Sequence, residues 1–211
     1  SLKMLATKAY ANSLLKKAEV TLVNPSVDEI ESLSVSLKEA PNLKHLAIRG
    51  GLDKQIIDAL EASLPENSSV VSIDLVGIES IEDLNLLLEK LSNWESLGSI
   101  SVEGNFNAKY LIPFLKETYW GKLERLSLKA KVSRKFVDAF CKNAENLPSL
   151  NWIRIRSTKE DKLSFLDLRG LLDVFSGKER FLLEAPMTKA EYDILRNEFS
   201  SRNVHIFPSQ G

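Results

Sequence analysis

The chain has 211 residues but only one cysteine and two histidines. A lone thiol, Cys141, cannot close a disulfide within the chain, which fits a reducing compartment. His45 and His205 fall on predicted strands about six repeats apart, roughly 29 Å at ordinary strand spacing, so they cannot share a metal or a catalytic triad. Charge of one sign is lacking too. Lys and Arg number 28 against 29 Asp and Glu, which leaves no global pull toward nucleic acid or an anionic membrane. No apolar run approaches the roughly 18 residues of a membrane span, and SLKMLATKAY at the start lacks the apolar stretch of a secretory signal. The first residue is Ser rather than Met, as expected of a piece of a longer protein. The phosphate-cradling G-x-x-x-x-G-K-S/T loop, G-x-G-x-x-G and H-E-x-x-H are all missing. The expectation is an intracellular protein, cytoplasmic or nuclear, that is not an enzyme and needs no metal or cofactor.

What is present is periodicity. A 44% hydrophobic share with 27% charged residues suits a folded chain, either one domain or an extended array. The stretches LKHLAI (43–48), VVSIDL (70–75), LGSISV (97–102), LERLSL (123–128) and LNWIRI (150–155) share the pattern L-x-x-L-x-L, with Val or Ile substituting. Their starts are 27, 27, 26 and 27 residues apart. Weaker members flank them: EVTLV (19–23) before, RFLLEA (180–185) and NVHIF (203–207) after.

Between these strands the spacing turns helical. Leu52, Ile56, Ile57, Leu60 and Leu64 form one apolar stripe, and Phe136, Val137, Phe140, Ala144 and Leu147 another. Tyr110, Leu111, Phe114 and Leu115 begin a third, with Pro113 near its first turn. Ser26-x-x-Glu29, Ser80-x-x-Asp83 and Thr188-x-x-Glu191 match capping boxes, and Met187 with Tyr192 would staple the last. Pro41, Pro65 and Pro148 stop helices ahead of strands. LSFLDLRGLLDVF (163–175) fits either a helix or a strand, and is taken as helix because one helix per unit keeps the period.

These motifs resemble the leucine-rich repeat family, over essentially the whole chain from about residue 17 to 207. A period of 26 to 28 with a true helix is similar to the intracellular, ribonuclease-inhibitor-like type, which also occurs in F-box substrate receptors and nucleotide-binding immune receptors. The family's usual Asn or Cys after the strand survives only as Asn105; Gly51, Ile78, Lys131 and Thr158 replace it, which implies irregular turns. The resemblance implies a single α/β solenoid over 1–211, of seven to eight repeats, with parallel strands on the concave face and helices on the convex face. Residues 1–16 would form an N-terminal capping helix, 17–202 the repeats, and 203–211 a terminal strand and tail. One helix and one strand cannot bury their apolar sides alone, but stacked units share a core.

Strand alternation then assigns the concave face. In the first half it is small and mildly acidic, with Glu19, Thr21, His45, Arg49, Asp74, Ser101 and Glu103 among its members. In the second half Arg125, Lys129, Arg154, Arg156 and Arg180 surround an exposed Trp152, and Leu182, Glu184, Asn203, His205 and Phe207 complete the face. Trp and Arg are enriched at interface hot spots, so Arg125, Lys129, Trp152, Arg154, Arg156 and Arg180 are the candidate partner-binding residues. Arg stems also cover sheet surface without any partner. Trp94 and Trp120, each three residues before a strand's first apolar position, belong to the core, and so does Cys141, behind Phe140. The chain is expected to be a protein-recognition module for a partner with an acidic surface, the sensing or substrate-binding part of a larger protein. Two alternatives stand beside it: an anion-binding module for RNA or a phosphorylated ligand, with Trp152 for stacking, and a secreted effector that binds a host protein.

Overall fold

The structure, a computed structural model, describes residues 17–79, 84–158 and 163–209. The expected capping helix over 1–16 and the Ser80-x-x-Asp83 box lie outside the described residues. Along the chain, strands alternate with helices in an α/β arrangement. Contacts divide it into two compact units, Ser1–Gly104 and Asn105–Gly211.

In the first unit, β1 (Glu19–Val23), β2 (His45–Leu52), β3 (Ser72–Ile78) and β4 (Ser99–Asn107) up to Gly104 are parallel and pair in chain order. The register is the one the repeat demands. Leu46 stands beside Ile73 and Ile73 beside Ile100, all three at most 1% exposed. Helices α1 (Val27–Leu37), α2 (Lys54–Ser63) and α3 (Leu84–Ser92) connect the strands. Ser26 and Glu29 form the expected capping box, the Ser26 Oγ accepting from the Glu29 N–H at 3.2 Å. Asp53 caps α2 by accepting from the Ile56 N–H. Leu52, read with the α2 stripe, is the last residue of β2 instead, and still fully buried.

The ends of β2 and β3 are irregular. Register shifts fall between Arg49 and Leu52 and between Val76 and Ile78. Gly77 has φ +87°, and a Cβ there would sit 3.1 Å from the Gly50 Cα. The position thus excludes side chains twice, by backbone conformation and by close approach.

In the second unit, β5 (Arg125–Lys131), β6 (Trp152–Ser157), β7 (Arg180–Pro186) and β8 (Val204–Ser209) repeat the parallel, chain-order pairing. Leu126, Ile153, Phe181 and Val204 stand in one buried row. Pro208 lies within β8, opposite Ala185. The segment from Tyr110 to Leu115 does not begin an α-helix: Ala108–Phe114 is a 3-10 helix containing Pro113, followed by the single-turn α4 (Glu117–Trp120). Proline lacks the N–H that a longer α-helix would use there. Helix α5 (Arg134–Lys142) carries Phe136, Val137 and Phe140 inward; Ala144 falls beyond it, in a second 3-10 turn. LSFLDLRGLLDVF is helical, as α6 (Phe165–Phe175), and α7 (Lys189–Glu198) follows. Both have capping boxes, from Ser164 with Asp167 and from Thr188 with Glu191. Phe136, Phe140, Phe175 and Phe181 form an aromatic run through the core, with successive centroids 5.4, 4.5 and 5.8 Å apart.

Candidate functional site

Strand alternation in β5, β6 and β7 sends one set of side chains inward and the other to the face opposite the helices. The register assembles the outward set into rows. Arg125, Trp152 and Arg180 stand side by side in the first row, Ser127, Arg154 and Leu182 in the second, and Lys129, Arg156 and Glu184 in the third. All six candidate residues therefore share one surface. His205 and Phe207 continue the second and third rows on β8. Asn203 does not join this surface: its amide donates to the carbonyls of Ser176 and Lys178, tying down the turn before β7.

Trp152 is half-buried rather than exposed, because long side chains from both flanking strands lie against it. The guanidinium carbons of Arg125 and Arg180 each sit 6.0 Å from the indole centroid, the outer edge of cation–π range. Among the described residues neither side chain has a carboxylate partner, and Arg154 makes no ion pair or hydrogen bond, its Nε being buried and unpartnered. Three arginines elsewhere are paired: Arg49 with Asp74 at 3.6 Å, Arg134 with Asp138 at 3.8 Å, and Arg169 with Glu198 at 2.6 Å. Two uncompensated guanidiniums beside one indole, with Arg154 at the next outward position of the same strand, mark this face. On the matching face of the first unit, Arg49 is paired with Asp74. There burial holds the Asp74 carboxyl above its ordinary value, although Arg49 and His45 pull the other way.

Cys141 is half-buried, less enclosed than its place behind Phe140 suggests, and its thiol faces the Gly170 carbonyl at 3.8 Å. Burial, with Asp138 and Asp167 nearby, pushes it up to about 11, so the thiolate nucleophile is scarce at neutral pH. Trp94 and Trp120 are both buried. A cleft of about 450 Å³ between α7 and β8 is lined by Tyr192, Arg196, Phe199 and His205, among others, with no carboxylate or thiol in its wall. Among the described residues no group of three or more His, Cys, Asp or Glu is placed to hold a metal ion. No helix there is long and apolar enough to cross a membrane.

The fold is thus an α/β protein of parallel strands and connecting helices, bearing a basic aromatic row. Compared with known proteins, the chain matches no family model and no curated sequence.

Proposed function

We propose that this chain is a protein-recognition module, a leucine-rich repeat solenoid of seven to eight units that binds a partner with an acidic surface through its outward strand face. Arg125, Lys129, Trp152, Arg154, Arg156 and Arg180 carry the contact, within the sensing or substrate-binding part of a larger intracellular protein. The supporting observation is the unpaired state of Arg125, Arg154 and Arg180 around Trp152. Arg154 is half-buried with its Nε enclosed and unpartnered, which costs free energy in the isolated chain. Arg125 and Arg180 are exposed and free to meet a partner's carboxylates. Strands hold these side chains in place before binding, which limits the ordering cost. Stacking of a nucleic acid base needs an open indole face, whereas Trp152 has a guanidinium on either side.

The test pairs thermal midpoint with partner capture. Trp152→Ala should shift stability by no more than about 1 kcal/mol and weaken capture by about thirtyfold, the effect of a hot-spot aromatic. Trp120→Ala should do the reverse, costing about 3–5 kcal/mol of stability as a buried aromatic. Capture unchanged by both Trp152→Ala and Arg154→Glu sinks the reading.

A further inference from the structure

Resting on that reading, we infer that the Arg125–Trp152–Arg180 row, with Arg154 below it, takes an extended acidic segment whose carboxylates occur at alternate positions. The spacing carries the inference. Arg125 and Arg180 lie two strands apart, roughly 10 Å between backbones, and Arg154 lies one strand over and two residues along, roughly 8 Å from each. Each guanidinium is rooted on its own strand, so each can take a carboxylate of its own. An extended chain with acids at every second residue presents its carboxylates on one face at intervals of roughly 7 Å, a span that long arginine side chains can meet.

The indole keeps the two first-row guanidiniums apart. Each comes from the strand on its own side of β6 and lies 6.0 Å from the indole centroid, so converging on one central anion would draw both away from the ring. The ligand that fits is therefore distributed rather than compact, and it crosses the strands. Leu182 beside Arg154, and Glu184 beside Arg156, break the positive field on β7. A continuous phosphodiester chain would run onto that carboxylate, while a short acidic segment ends before it.

The probe is a fluorescein-labelled Glu-Ser repeat peptide, compared by anisotropy with its Gln-Ser counterpart and with a single-stranded RNA oligonucleotide of similar length. The full chain should bind the Glu-Ser peptide and not the Gln-Ser one. Arg154→Gln should weaken binding about tenfold, the effect of one charge-assisted hydrogen bond. Trp152→Ala should weaken it as well, by releasing Arg125 and Arg180, while Trp152→Phe keeps most of the affinity. Lys135→Gln, the same charge change on α5, should leave binding unaltered. Equal binding of the Gln-Ser peptide, tighter binding of the RNA, or an equal loss in Lys135→Gln overturns the inference. Should patch variants lose protein capture while the Glu-Ser peptide never binds, the acidic-segment inference falls and the recognition reading stands. Should the peptide bind through the patch while capture ignores it, the recognition reading falls instead.

Discussion

Trp94 and Trp120 occupy the same place in successive repeats, yet they are held differently. The Trp94 indole N–H donates to the Pro65 carbonyl at 2.8 Å, whereas the Trp120 N–H is buried without a partner among the described residues. Replacement by Phe should therefore separate them: Trp94→Phe strands a buried carbonyl and should cost at least about 1 kcal/mol more than Trp120→Phe, read as the difference in denaturant midpoints. Cys141 makes a pH prediction. Its thiol is raised from an ordinary 9.0 to about 11, so the folded state favours the protonated form. The stability this contributes is complete below about pH 9 and lost as pH climbs through 11. The stability gap between wild type and Cys141→Ala should narrow over that window, and rapid alkylation of the folded protein at pH 7 would contradict the assignment. At this scale the sequence was legible in direction but not in degree. Alternation places Trp152 on the outer face, but how far Arg125 and Arg180 cover it depends on their rotamers. Which arginines find carboxylates depends on cross-strand register.

Among the elements, strands were the most legible, because buried L-x-x-L-x-L positions recur at fixed spacing; LSFLDL (163–168) imitates them but falls out of that spacing and is helical. Helix starts were legible where a hydroxyl stands three residues before Glu, as at Ser26 and Thr188. The Ser164–Asp167 box went unread, hidden in a stretch whose apolar spacing suits either element. Pro113 was visible, but that it would turn a whole connection into 3-10 helix was not. The irregular strand ends also escaped the sequence reading, since their glycines answer to close approach of the preceding repeat. Gly104 shows this best: a Cβ there would run into the Ile78 carbonyl oxygen. Gly104→Ala should accordingly destabilise well beyond the roughly 0.5 kcal/mol of an ordinary surface change. A neutral result by thermal melting would mean that the turn relaxes freely.

For the molecule as a whole, stability rests on rows of buried side chains, with no disulfide available to the single cysteine. Ile73 has registered neighbours on both sides, Leu46 and Ile100, and so has Ile153, between Leu126 and Phe181. Substituting Ala at either should cost about 2–5 kcal/mol. Among the described residues Val20 has a registered neighbour on one side only, Leu46, and Val20→Ala should cost less; equal losses at all three would argue against additive stacking. The pairing has a kinetic meaning too. Leu46 with Ile73 and Ile73 with Ile100 join residues that are always 27 positions apart. Closing each contact therefore carries the same chain-entropy cost, however many repeats precede it. Such a chain can grow by copying a repeat without slowing the closure of those already present. Each copy would bring a fresh column of outward side chains, free to diverge while its inward neighbours stay fixed. A row like Arg125, Trp152 and Arg180, one residue from each of three successive strands, is the kind of surface that this manner of growth can assemble one column at a time.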